Sequence, residues 1–265
     1  MRVLLLSTLS AATLVLTGCA MEGGATNSAS SAPAKIAPDF AAAVSASGRD
    51  EGDVKLDTSR RPAELLAFMG LETGDTVIDI FSGGGYYSEI IGRAVGSSGS
   101  VVAVNPPQFV SSDAAKAKWA GISARTPNVS LQLSHLGEFT PAPDTYDFAM
   151  MHLIYHDLYW ESEKFKVDRM DPAAFLKRLY AGMKPGGIVA VVDHVGGAGE
   201  TRTVVNKTHR INPAVVKADF LKAGFVLAAQ SDMFANPVDD IEKNVFDAAV
   251  RGKTSRFSMR FRKPG

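Results

Sequence analysis

Five histidines carry most of the chemistry open to this chain: His135, His152, His156, His194 and His209. Imidazole titrates near neutral pH, so it serves as a general base or as a metal ligand. Two of them adjoin carboxylates, His156 before Asp157 and His194 after Asp193. His152 and His156 have the His-x-x-x-His spacing that can grip a metal from one face of a helix. Leu153 and Ile154 follow His152, so there is no His-Glu-x-x-His pattern, and no metal site is assigned. A lone histidine is more often a bonded structural residue, so the functional expectation rests on their clustering. Of the nearby aromatics Tyr86, Tyr87, Tyr155, Tyr159 and Trp160, most are expected in the core or at a rim. Tyr155 is singled out because it follows a strand. The Arg60-Arg61 pair is expected on a solvated helix face, with binding of an anionic ligand as the lesser alternative.

A second feature is "VIDIFSGGGYYSEI" at 77–90. A strand-like run reaches Asp79, three glycines follow at Gly83, Gly84 and Gly85, and a helix-like run begins. Without a Cβ, such a turn lets backbone N–H groups approach a ligand at the start of a helix. Phe81 stands where loops of this kind usually carry their first glycine.

These residues need a scaffold, and the hydrophobic periodicity supplies one. Helices are expected from Thr58, Tyr86, Ser112 or Asp113, Asp171 and Asn212, the last two with proline at the first helical position. Strands are expected at "DTVIDI", "GSVVAVN", "NVSLQL", "YDFAMMH", "IVAVVDH", "FVLAAQ" and "RFSMRFRK". The first five are mostly continuous apolar runs, as in a parallel sheet covered on both faces. "RFSMRFRK" alternates, which suits a more exposed, antiparallel strand. The fold class is therefore α/β, a Rossmann-like doubly wound sheet of seven strands. In such sheets ligands bind at the carboxyl ends of the strands. His135, His152 and His194 fall at the ends of strands three, four and five.

The chain has 265 residues, 46% of them hydrophobic, with 28 Lys and Arg against 28 Asp and Glu. No basic patch argues for nucleic acid, and a small-molecule substrate is the expected partner. Residues 1–18 combine Arg2, an apolar run and Leu16-Thr17-Gly18-Cys19. They resemble the signal peptide and lipobox of bacterial lipoproteins. The resemblance implies lipidation of Cys19, the only cysteine, and a periplasm-facing anchor in the cell envelope, at the outer membrane. Residues 19–37 then form a flexible tether rich in Ala, Ser and Gly, and 38–265 the folded domain.

The segment "VIDIFSGGGYYS" resembles motif I of class I S-adenosylmethionine (SAM)-dependent methyltransferases. "TYDFAMM" at 145–151 and "LYAGMKPGGIVAVVD" at 179–193 are similar to that family's fourth-strand entry and fifth-strand approach. The C-terminal tail looks like an exported branch of predicted methyltransferases. The resemblance implies the strand order 3-2-1-4-5-7-6 and SAM as cofactor. It would be held by Asp79, Gly83, Gly84, Gly85, Asn105 and His135. Asn105 stands where the family has an acid that binds the ribose, so Asn105→Asp is expected to tighten SAM binding. A methyl group on this topology points toward strand four, which places any reaction beside His152, Tyr155 and His156. His156 is then the candidate base, with Asp157 orienting it and His194 on the far wall. The alternative left open is a methyltransferase-like fold repurposed as a non-methylating periplasmic ligand- or metal-binding protein.

Overall fold

In the computed structural model, which describes residues 35–265, the apolar runs become strands because helices cover both faces of the sheet. The strands are β1 (Thr76–Ile80), β2 (Ser100–Asn105), β3 (Val129–Leu133), β4 (Tyr146–His152), β5 (Met183–His194), β6 (Val226–Ser231) and β7 (Arg256–Arg262). They form one sheet in the order 3-2-1-4-5-7-6, as expected. β1 to β5 run parallel, and β7 runs antiparallel between β5 and β6. Its expected exposure is not found. Phe257, Met259 and Phe261 are buried, and the Phe261 ring stacks on Phe220 at 4.1 Å. The edge on this side of the sheet is β6, where exposed and half-buried residues alternate. Being last in sequence did not put β7 last in space. The Lys-Pro-Gly-Gly turn is absorbed into β5 as an irregularity between its pairings with Tyr146 and Phe148 of β4.

The helices are α1 (Phe40–Ser45), α2 (Glu51–Val54), α3 (Asp57–Arg60), α4 (Pro62–Met69), α5 (Tyr86–Val95), α6 (Asp113–Arg125), α7 (Pro172–Gly182), α8 (Thr201–Thr208) and α9 (Pro213–Lys222). The helix expected to run unbroken from Thr58 divides at Arg61, which takes a left-handed backbone (φ 43°, ψ 55°). Pro62 clashes with a right-handed helical residue before it, and the chain turns there instead. Ser112, Asp171 and Asn212 cap their helices through side-chain oxygens. One face of the sheet packs on α4, α5 and α6 through Leu65, Leu66, Ile90, Ile91 and Ile122. The other packs on α7 and α9 through Phe175, Leu176, Val216 and Phe220.

Two tethers fix the ends of this sandwich. Lys35 Nζ bridges Asp75 and Asp147 at 2.6 Å each, at the amino ends of β1 and β4 and therefore opposite the glycine loop. The Ile36 N–H donates to Thr73. Among the described residues these contacts start at Lys35, inside the segment expected as tether. The expected signal peptide and Cys19 lie outside the described residues. At the other end, residues 232–255 connect β6 to β7 without forming a helix or strand, and Arg210 holds them. Its guanidinium is fully buried and binds Asp239 at 2.7 and 3.0 Å and the Lys243 carbonyl at 2.9 Å.

Breaking a buried pair strands the remaining charge. Asp239→Asn is expected to lower unfolding stability by roughly 3–5 kcal/mol in urea denaturation. Lys207→Ala removes only the exposed pair with Glu242 and should change it by less than about 1 kcal/mol.

Candidate functional site

The glycine loop is built by its neighbours. Asn105, at the end of β2 and fully buried, accepts from the Gly83 N–H at 2.9 Å. Its Nδ2 donates to Ser82 Oγ and to the Gly83 carbonyl, both at 3.0 Å. Trp119 Nε1 donates to the same carbonyl at 3.2 Å. Asn105 is therefore turned into the loop and is not offered to a ribose. An Asp in its place would set a carboxylate oxygen against the Gly83 carbonyl and lose both donated bonds. The expected gain from Asn105→Asp is corrected to a loss.

The glycines divide by role. A Cβ on Gly85 (φ 80°) would lie 2.5 Å from Ile122 and 3.1 Å from Trp119, so this glycine packs α5 against α6. A Cβ on Gly84 would crowd the flexible end of Lys118. At Gly83 (φ 56°) a Cβ meets nothing within 4 Å, and this is the bare backbone facing the cleft. Phe81 (φ 53°) and Leu153 (φ 59°) also have left-handed backbones. They directly follow β1 and begin the turn after β4. Non-glycine residues rarely adopt this conformation, and such strain gathers at functional sites.

Two cavities open at this strand edge. One, of about 440 Å³, is lined by Arg60, Asp79, Gly83, Tyr86, Tyr87 and His152 among others. The second, of about 330 Å³, lies between Phe81, Phe109, His135, Trp160 and Phe175. Phe81 and Asp157 line both. The Phe81 and Phe109 rings meet at 5.0 Å.

In the first cavity Arg60 lies over the Tyr86 ring at 4.3 Å. It faces the cleft and not open solvent, as was expected for the pair. Arg61 alone takes an exposed pairing, with Glu64. Asp79 is buried and accepts from Ser88 Oγ at 2.6 Å. Burial pushes its carboxyl up to about 7, against the pull of the Ser88 bond. The His152 ring packs on Tyr87 at 4.6 Å. Its Nε2 is buried with no hydrogen-bond partner, and burial, then the nearby Arg60 and Arg256 charges, hold it well below the usual imidazole range. From sequence, an anion-binding role for the pair is only the lesser reading, because a charge pair on a helix gives no sign of which member turns inward.

Behind the cavities stands a chain of titratable groups. Asp193, fully buried at the end of β5, accepts from His156 Nδ1 at 2.8 Å, from the His156 backbone N–H at 2.8 Å and from the His194 N–H at 2.7 Å. On the other side of the ring, His156 Nε2 lies 3.4 Å from Asp157 Oδ1. Burial alone would lower the His156 pKa, but the two carboxylates outweigh it and raise it to about 9. Burial raises Asp157 to about 6. The His156 charge holds Asp193 below the usual carboxylate range despite burial. The expected roles are thus exchanged. Asp193 orients His156, and Asp157, not His156, faces the cavities.

The remaining expectations divide. Tyr155 is not at the cleft. It is fully buried in the core and donates to Asp219 of α9 at 2.9 Å, as Tyr159 does at 2.5 Å. The 3-10 turn at Tyr155–Tyr159 sends Tyr155 inward and Asp157 outward, a phase that the residue types alone do not set. His194 lines neither cavity. Its Nδ1 pairs with Thr254 Oγ1 at 2.7 Å, and burial pushes it down to about 3. His135 is exposed and lines the second cavity, away from the glycine loop. His209 is brought beside His156, ring centres 5.7 Å apart.

This sheet and loop define the class I SAM-dependent methyltransferase fold, and solved structures bear that out. A SAM-dependent methyltransferase from Aquifex aeolicus is 19% identical, covering 79% of this chain and 97% of its own, with a TM-score of 0.54. One from Mesorhizobium loti is 14% identical over 78% of this chain and 100% of its own, at 0.54. The [4+2]-cyclase SpnF is also similar, at 16% identity, 80% of each chain and 0.50. No protein-family profile and no curated protein matches the chain.

The His156–Asp193 pair generates a pH prediction. The folded-state pKa of His156 is raised, so its contribution to stability is complete below about 6.5 and lost as pH rises through about 9. Asp193, whose pKa is lowered, contributes above about 4. Asp193→Asn should therefore destabilise the protein by roughly 3–5 kcal/mol near pH 6. The gap from wild type should narrow as pH rises through about 9, read by urea denaturation with EDTA present.

Proposed function

We propose that the protein is a SAM-dependent methyltransferase acting on a small molecule. The observation that carries this reading is the first cavity, where bare Gly83 backbone adjoins a cation, Arg60, and a carboxylate, Asp79. That pairing suits an amino-acid end: Arg60 for its carboxylate, Asp79 for its ammonium. Phe81 and Phe109 offer apolar ring faces for a flat base in the second cavity. Bound there, SAM would supply an electrophilic methyl group. Asp157, set between both cavities and backed by His156, is placed to take a proton from a hydroxyl or amine substrate. Because the Asp79 pKa stands at about 7, affinity for an amine-bearing ligand rises with pH through that value.

A second reading, binding of another small molecule without methyl transfer, is favoured by Asn105. Its side chain is buried and turned into the loop, so its amide oxygen is not presented to a ribose diol. The similarity to a cyclase adds that this fold alone does not fix the reaction.

Calorimetric titration with SAM and its demethylated product separates the readings. Under the first, wild type binds and Gly83→Ala weakens binding at least about tenfold, while stability falls by only about 1 kcal/mol. Asn105→Asp also weakens binding. Gly85→Ala loses about 2–4 kcal/mol of stability through overpacking and a left-handed backbone. Absence of any heat or thermal shift in wild type removes the methyltransferase reading.

The proposal extends to location: a periplasm-facing protein of the exported branch, anchored through Cys19 at the outer membrane. The order of apolar run, small residues and cysteine at 3–19 supports it. Cys19→Ala should leave an unprocessed precursor that no longer fractionates with membranes. Unchanged processing and fractionation would exclude the anchor.

A further inference from the structure

We propose that His156, Asp157 and His209 form a site for a divalent first-row transition-metal ion, open toward the two cavities. The proposal stands on these side chains alone and does not rest on the cofactor reading.

One donor atom from each residue lies within 4.8 Å of the others. Bonds of 2.0–2.2 Å in a tetrahedral site set neighbouring donors about 3.4 Å apart. His156 Nε2 and Asp157 Oδ1 already stand at 3.4 Å. Only the His209 ring must draw in, by an ångström or so on this geometry. Two imidazoles and one carboxylate are a borderline donor set, suited to Zn2+, Fe2+ or Co2+ and unsuited to Mg2+ or Ca2+.

The surroundings have the form that metal-binding histidines require. A ligating imidazole almost always donates its other ring N–H to a carboxylate, which fixes tautomer and direction. Asp193 does this at His156 Nδ1, at 2.8 Å. It also holds the His156 backbone N–H, so Nε2 is aimed at Asp157 by two separate bonds. His209 comes from a different element, the C-terminal cap of α8, in a left-handed conformation (φ 50°, ψ 44°). Its backbone N–H is tied to the Val205 carbonyl at 2.8 Å, and the next residue is the buried Arg210. Among the described residues its ring is held by aromatic contacts alone, with Trp160 at 4.9 Å, Phe246 at 5.2 Å and His156. These rings line one side of the site. On the other, Asp157 lines both cavities, so the free coordination position opens to an oxygen donor of a bound ligand. His152, the partner first suggested by spacing, is not in the group.

The test uses the untagged full chain, dialysed against EDTA and titrated with Zn2+ by calorimetry and with Co2+ by visible absorption. One equivalent of each should bind, with Co2+ gaining the intense bands of a low-coordinate nitrogen and oxygen site. His209→Gln, whose ring is outside the core, should keep the metal-free melting temperature. Its Zn2+ affinity should fall by more than the roughly 10–100-fold that loss of an outer-shell partner brings. Asp157→Asn, which also breaks the contact with His156, should lose Zn2+ affinity likewise and serves if His209→Gln fails to fold. No saturable binding in wild type overturns the proposal. So does binding of unchanged strength in both variants.

Discussion

The carboxylate of Asp193 is the interaction on which the site depends. It has no exposure to water, yet it receives three N–H donors, two from His156 and one from His194. An ionised carboxylate in the interior is tolerated only when it is paired and bonded this fully. These bonds join the end of β5 to the turn that follows β4. They fix which residues of that turn face inward and which face the cavities. Release them, and neither the direction of His156 nor the position of Asp157 is determined.

The same strand edge stores strain. Phe81 and Leu153 have left-handed backbones beside the adjacent strands β1 and β4, and His209 has one at the end of α8. Each costs on the order of 1–3 kcal/mol and persists only where the surroundings enforce it. The enforcing contacts are visible: the Ser82 N–H on the Val104 carbonyl after Phe81, and the Leu153 N–H on the Val192 carbonyl. The sheet thereby holds the first residues beyond its strands in conformations the chain would not choose by itself.

Sequence shows the sheet well because parallel strands buried on both faces must be apolar throughout. The run through Asp79 and the cap-plus-proline starts at Asp171 and Asn212 have single physical explanations, and they form the elements expected. The site is less visible. Asp157 and Tyr155 lie two residues apart in one short turn, and contacts distant in sequence, Asp193 on His156 and Asp219 on Tyr155, set which of them meets the cavity. Asn105 shows the same limit. Its position at the end of β2 is legible, but its hydrogen bonds into the loop depend on where Ser82 and Gly83 lie in three dimensions. The interior position of β7 follows from an order of strands that alternation along the chain does not encode.

Phe81 has one further effect. Its ring borders both cavities and leans on Phe109 at 5.0 Å. A compact ligand can occupy either compartment without disturbing that contact. A long one, with a charged end by Arg60 and a flat end by Phe109, runs past this ring, and any shift that parted the two rings would forfeit the aromatic pairing, worth about 0.5–1.5 kcal/mol. A penalty of that size amounts to at most roughly tenfold in affinity and would fall on extended guests alone.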